Sequence, residues 1–136
     1  ASGNTTLKIV AGTQHEQTGL INTQTEVNVF MVEAKEGGEM IVDIPEHHAT
    51  TLYLLDGELK INNEVILSKG ADQLAVFNAD GNAIKFSSNK KSKFIILSGE
   101  PINEKVAQYG PYVMNNQTEL LEAMRDYQQG KMGYLY

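Results

Sequence analysis

Three histidines, His15, His47 and His48, are the only imidazoles in this sequence of 136 residues, and there is no cysteine. Without thiols, disulfides, thiolate nucleophiles and Cys-based zinc or iron–sulfur sites are excluded. His47 and His48 are adjacent, in Pro45-Glu46-His47-His48-Ala49-Thr50. Read as the start of a strand, the segment sends neighbouring side chains to opposite faces, so both imidazoles cannot line one pocket. His48 shares the parity of Glu46 and Thr50 and is expected to face a cavity, with His47 facing away. His15, beside Glu16, falls in a polar stretch and reads as loop. A complete histidine-based metal site would therefore have to draw on distant segments. Glu100 and Glu104 flank Pro101-Ile102-Asn103 and have the residue types of an acid–base pair. On a polar loop they read as solvated or helix-capping charges. No Gly-x-Ser-x-Gly elbow, P-loop or dinucleotide fingerprint is present.

Charge narrows the partners. Seventeen acidic residues against eleven basic ones give a net charge of −6, whereas affinity for nucleic acid needs a Lys/Arg footprint. Lys90, Lys91 and Lys93 form the one basic cluster, and it reads as the solvated tip of a hairpin. Neither nucleic acid nor an anionic membrane is an expected partner. No apolar run approaches the ~20 residues of a membrane span, and no basic n-region precedes an apolar h-region at the start. A cysteine-free chain fits a reducing compartment, so a cytoplasmic location is expected. The sequons Asn4-Thr5-Thr6 and Asn116-Gln117-Thr118 would matter only in a secreted protein.

The elements that must position these residues have the two-residue period of strands through Ser98. Val27-Asn28-Val29-Phe30-Met31-Val32 is β-branched and mostly apolar. Leu52-Tyr53-Leu54-Leu55 ends at the turn pair Asp56-Gly57. Asn62-Asn63 joins Glu58–Ile61 to Glu64–Leu67 as a hairpin whose turn takes positive φ. Leu74–Phe77, Ala83–Phe86 and Phe94–Leu97 complete the series. Short strands at this spacing argue for an antiparallel sandwich or barrel. Beyond Ser98, Gly99-Glu100-Pro101 and Tyr109-Gly110-Pro111 break regular structure. Asn116 with Glu119 three residues later opens a helix in the manner of a capping box. Leu120, Leu121, Met124 and Tyr127 supply its expected core-facing stripe, and Gly130 ends it.

The glycine spacing resembles the two-motif frame of the cupins. Gly38, five residues, Ile44-Pro45-Glu46, three residues, Thr50, six residues and Gly57 match the first motif, and Asn62, Ser68, Gly70 and Gln73 fall on the second. In that family a His-x-His pair, a Glu and a third His bring a metal to the mouth of the barrel. Here the four ligand slots read Ile44, Glu46, Thr50 and Gln73. These side chains do not suit iron, copper or zinc, which favour imidazole-rich sites.

A more specific likeness lies downstream. Leu97-Ser98-Gly99-Glu100-Pro101-Ile102-Asn103-Glu104, Gln108–Asn115, Asp126-Tyr127 and Gly130-Lys131-Met132-Gly133 closely resemble the C-terminal domain of pirin-family proteins. Leu7–Gly12 and the stretch from Pro45 to Glu58 extend the likeness over nearly the whole chain. The resemblance implies an all-β fold, a cupin-type antiparallel β-barrel or jelly roll with one C-terminal α-helix. It implies a single domain over 1–136, with the barrel at about 5–98 and a loop and helix over 99–136.

It also implies a bicupin. The N-terminal cupin carries three histidines and a glutamate around an iron-like metal, and some members cleave quercetin as dioxygenases. The chain starts where the second domain starts, without an initiator methionine, and is expected to be one domain of a longer protein. The leading expectation is a metal-free, non-catalytic domain that supports the metal-bearing N-terminal cupin, its expected partner. In that reading no cofactor belongs to this chain and no catalytic residue carries over. One rival is a stand-alone small-molecule-binding barrel using His48, Thr50, Tyr53 and Gln73. Another is an enzyme recruiting metal through His48 and Glu46. An apolar patch near Tyr109, Tyr112, Val113 and Met114 is expected where the missing domain packs, with homodimerisation as the alternative cover.

Overall fold

The computed structural model describes residues 3–133, and these fall in two compact units divided after Pro101. The first unit is built from β1 (Thr5–Ala11), β2 (Thr13–Gln14), β3 (Gln17–Thr18), β4 (Val27–Ala34), β5 (Glu39–Asp43), β6 (Ala49–Asp56), β7 (Glu58–Ile61), β8 (Val65–Ser68), β9 (Leu74–Val76), β10 (Ala83–Ser88) and β11 (Ser92–Gly99). Hydrogen bonding sorts most of them into a five-stranded sheet, β1-β4-β11-β6-β9, and a four-stranded sheet, β5-β10-β7-β8. Between the alternatives of closed barrel and jelly roll, the ladders give the double-sheet form. Strand β5 is one the periodicity does not mark, because Glu39 and Asp43 bracket only three apolar residues.

Alternation decides which side chains are buried. Phe30 and Val32 of β4, Leu52 and Leu54 of β6, and Phe94 and Ile96 of β11 have no exposed surface. They form one apolar cluster with Val42, Leu59, Ile61, Leu67, Ile84 and Phe86 from the second sheet and with Ile44 just beyond β5. Phe86 and Phe94 meet edge to face, ring centres 4.7 Å apart, the arrangement aromatic quadrupoles favour. The hairpin turn forms where the sequence places it. Asn62 and Asn63 take φ of 49° and 61°, and Glu64 N–H donates to the Ile61 carbonyl at 2.9 Å. The ladder resumes at Val65, opposite Ile61.

The second unit holds a hairpin, β12 (Ala107–Tyr109) and β13 (Tyr112–Met114), followed by α1 (Gln117–Gln128). The Tyr109-Gly110-Pro111 segment, expected as a break, is the turn of this hairpin. Asn116 caps α1 by accepting from Glu119 N–H at 3.0 Å, while the Glu119 carboxylate accepts Asn115 N–H at 2.9 Å. At the other end Gly130 has φ 71°. Its N–H bonds the Tyr127 carbonyl, and Lys131 N–H bonds that of Asp126, the paired closure of a Schellman motif.

The expected stripe on α1 needs correction. Leu120 and Ala123 are its buried residues, with Met124 half-buried. Leu121 and Tyr127 are 63% and 65% exposed. One residue along a helix is a turn of about 100°, which carries Leu121 away from the face that Leu120 buries. The small Ala123, absent from the expected stripe, takes its place. No helix among the described residues is long and apolar enough to cross a membrane.

Candidate functional site

Three adjacent strands change character at one end. Across β4, β11 and β6 the inward rows run Val32–Phe94–Leu54, then Phe30–Ile96–Leu52, then Asn28–Ser98–Thr50. The first two rows are apolar core. The third keeps the inward parity and the burial but is entirely polar. Buried polar groups need partners, and this row finds them in one another and in His48.

His48 does not lie on a strand. Pro45 to His48 is a turn closed by His48 N–H donating to the Pro45 carbonyl at 3.0 Å, and β6 begins only at Ala49. The rule that adjacent side chains diverge therefore fails here, and the expectation that His47 and His48 cannot share a site is overturned. Their rings meet edge to face at 4.8 Å, and both reach one carboxylate. Glu26 Oε2 is 3.4 Å from His47 Nε2 and 3.5 Å from His48 Nε2. Behind them a polar chain runs into the sheet. His48 Nδ1 lies 3.2 Å from Ser98 Oγ, which accepts from Asn28 Nδ2 at 3.1 Å. Asn28 Oδ1 in turn accepts Thr13 N–H at 3.2 Å. Gly12 makes room for that amide, since a Cβ there would stand 2.0 Å from Asn28 Oδ1.

Two hollows flank this cluster. A cavity of about 340 Å³ is lined by Ile44, Glu46, His48, Thr50, Ala75, Phe77 and Ile84 among others. On the other side a groove runs past Thr13, Gln14, His15, Glu26, Asn28, Asp43 and Glu100. The His48 ring borders both.

Of the four residues expected to bind a ligand, His48 and Thr50 line the cavity. Tyr53 and Gln73 are not brought to it. Tyr53 has the outward parity on β6 and is 43% exposed. The Gln73 amide is engaged with backbone, Nε2 donating to the Leu54 carbonyl at 2.8 Å and Oε1 accepting Gly70 N–H at 3.3 Å. The cupin ligand slots do not fit a metal. Ile44 is buried hydrocarbon and Glu46 is exposed. The Thr50 hydroxyl donates to the His48 carbonyl at 3.4 Å, and Gln73 is bonded as above. His15 sits in the tight turn between β2 and β3, with its Nδ1 3.6 Å from Asp43 Oδ2. Glu104 accepts from Asn115 Nδ2 within the second unit, while Glu100 belongs to the first.

Three carboxylates are held below their usual range: Glu33 and Asp56 at the end of the five-stranded sheet remote from His48, and Glu58 at the start of β7. Glu33 is lowered mainly by the hydrogen bond and charge of Lys93, and Asp56 by those of Lys69. Glu58 is lowered first by a hydrogen bond from Asn89 and then by the charge of Lys90. Two lysines of the basic cluster, Lys90 and Lys93, thus face carboxylates of their own chain.

Asn28 and Ser98 were detectable as polar residues at inward parity on otherwise apolar strands. Glu26 carries no such signal, because it precedes β4 and only the fold brings it to the histidines.

Two antiparallel sheets enclosing one apolar cluster, with a polar mouth at one end, define a cupin-type domain. The Pirin C-terminal cupin domain model matches residues 29–133, and the chain belongs to that family. A pirin-like protein of Solanum lycopersicum is 33% identical over 127 residues, covering 93% of this chain and 44% of its own length. Pirin-1 of Arabidopsis thaliana is 28% identical over 131 residues, covering 94% of this chain and 46% of its own. A crystal structure of quercetin 2,3-dioxygenase from Acinetobacter baumannii superposes with a TM-score of 0.86 at 28% identity, covering 100% of this chain and 46% of that one. The chain spans about half the length of the curated relatives it matches.

Proposed function

We propose that this chain is the non-catalytic C-terminal cupin of a pirin-like protein, supporting a metal-bearing N-terminal cupin that acts as a quercetin 2,3-dioxygenase. The observation carrying this reading is the content of the ligand slots: a buried isoleucine, an exposed glutamate, a threonine and a backbone-bonded glutamine. Side chains so placed do not assemble the redox metal that oxygen chemistry requires. The length shared with relatives leaves room for a second domain of similar size. The second unit exposes the apolar side chains of Ile102, Val106, Tyr109, Val113, Leu121 and Tyr127, and packing against a companion domain would take that apolar area out of water. The lack of cysteine supports a reducing, cytoplasmic setting. The test is to mix this chain with the separately produced N-terminal cupin of a family member. Association at one to one, with a raised Tm of the metal-bearing half and no quercetin turnover by this chain with added iron, is expected. Turnover by this chain alone would overturn the proposal.

A second reading, a stand-alone binding barrel, is favoured by the cavity beside His48 and Thr50. Flavonols and small organic acids tested by thermal shift decide it, because a ligand bound only by the native state stabilises as RT ln(1 + [L]/Kd).

A further inference from the structure

We propose that Glu26, His47 and His48 form a binding site for one divalent first-row transition-metal ion of the zinc type, separate from the cupin ligand slots. The expectation that a histidine-based metal site would have to draw on distant segments rested on His47 and His48 pointing apart, and the Pro45–His48 turn removes that premise. Among the described residues this is the one place where three ligating side chains converge, with their donor atoms all within 4.8 Å of one another. A tetrahedral ion with bonds of about 2.0–2.1 Å holds its ligands about 3.3–3.4 Å apart. The two imidazole–carboxylate separations, 3.4 Å and 3.5 Å, already have that length.

The three ligands differ in mobility in a useful way. The His48 side chain is 2% exposed, while those of His47 and Glu26 are 56% and 67% exposed. His48 is thus a fixed anchor, and the other two can adjust to an arriving ion. Its orientation is set by Ser98 at Nδ1, which turns Nε2 toward Glu26. A hydrogen bond at the far nitrogen is the usual means by which proteins orient a metal-binding imidazole. Ser98 can donate to Nδ1 or accept from it, so the ring can take the tautomer that leaves Nε2 free for an ion. Two imidazoles and a carboxylate form a zinc donor set, and three protein ligands leave a coordination position for water. Calcium and magnesium prefer all-oxygen sites, which this is not. Asp43 and Glu100 line the same groove as Glu26 and favour the approach of a cation.

The test uses the tag-free full chain, stripped with chelator and titrated with zinc chloride by calorimetry. Cobalt(II) serves as a spectroscopic probe. Saturable uptake of one zinc per chain is expected, with visible absorption from cobalt in a four- or five-coordinate site. Glu26→Gln and His47→Ala alter exposed side chains and leave folding intact, which circular dichroism checks. Each should weaken zinc binding by about tenfold or more, since losing even an outer partner of a ligand typically costs about 10–100-fold in metal affinity. Glu46→Gln and His15→Ala should leave the affinity unchanged. Absence of saturable uptake would reduce the cluster to a hydrogen-bonded one and overturn the proposal. Uptake indifferent to Glu26→Gln and His47→Ala, or abolished by Glu46→Gln, would place the ion elsewhere and overturn it equally.

Discussion

Ser98 Oγ lies 3.2 Å from His48 Nδ1 although the two residues are fifty apart in sequence. The register of β11 against β6 creates this contact, because Ser98 is paired with Thr50 and the chain turns back over it at His48. One hydroxyl thereby joins the last inward position of the sheet to the imidazole between the two hollows. It also accepts from Asn28, so a single side chain satisfies polar groups from two other segments.

Removing that hydroxyl should therefore be costly. Ser98→Ala leaves Asn28 Nδ2 and His48 Nδ1 without their shared partner, and an orphaned buried polar group costs about 1–3 kcal/mol. The urea midpoint should fall accordingly. A change no larger than a surface substitution would show that water replaces the hydroxyl.

Gly12 supports the same chain from behind. Its φ is 85°, and an added Cβ would stand 2.0 Å from Asn28 Oδ1 and 2.6 Å from the Val27 carbonyl. Gly12→Ala combines backbone strain with displacement of the amide, and strained positions alone cost on the order of 1–3 kcal/mol. Beyond lower stability, the variant should show faster hydrogen exchange at Thr13 N–H, whose acceptor is Asn28 Oδ1. Unchanged exchange at Thr13 would mean that the amide stays in place.

These residues also show what the sequence made legible. The strands that carry Phe30, Leu52, Leu54, Phe94 and Ile96 were legible from their two-residue period, and the Asn62-Asn63 turn and Asn116 cap formed as their chemistry requires. Parity failed at Pro45–His48, where proline and a four-residue turn replace the strand on which the rule depends. Placement of Gln73 failed for a related reason: its amide bonds the backbone of the neighbouring strand rather than the cavity. Glu26 was invisible because proximity to His47 and His48 arises from the β4–β11–β6 arrangement and from no local pattern. On α1 the periodicity was sound, but the expected stripe took in the exposed Leu121 and Tyr127 and left out the buried Ala123.

Acid should weaken the fold through three carboxylates. Glu33, Asp56 and Glu58 have folded pKa values below their ordinary ones. A depressed carboxylate adds stability that is present above the unfolded value, about 4.3 for Glu and 3.9 for Asp. That stability is lost as pH falls through the lower folded value. Urea midpoints should thus drop on acidification below about pH 4.3, and less so in a Glu33→Gln/Asp56→Asn/Glu58→Gln variant. Because all three carboxylates meet solvent, added salt should shrink the difference. Identical acid profiles for the two proteins would remove these pairs from the account.

The two leucines at the start of α1 offer the sharpest contrast. Leu120 is 2% exposed and Leu121 63% exposed, although they are neighbours of identical chemistry. Leu120→Ala removes a buried side chain and should cost about 2–5 kcal/mol. Leu121→Ala should stay within about 0.5 kcal/mol, as surface changes do. Both are read from the helical circular dichroism signal during urea unfolding, since α1 is the one helix among the described residues. Leu121 then has a second expected behaviour. If it belongs to the packing surface of a companion domain, Leu121→Lys should leave the chain's own stability nearly unchanged and weaken its association with an N-terminal cupin. Equal losses of stability for Leu120→Ala and Leu121→Ala would place both side chains in the chain's own core and remove Leu121 from any interface.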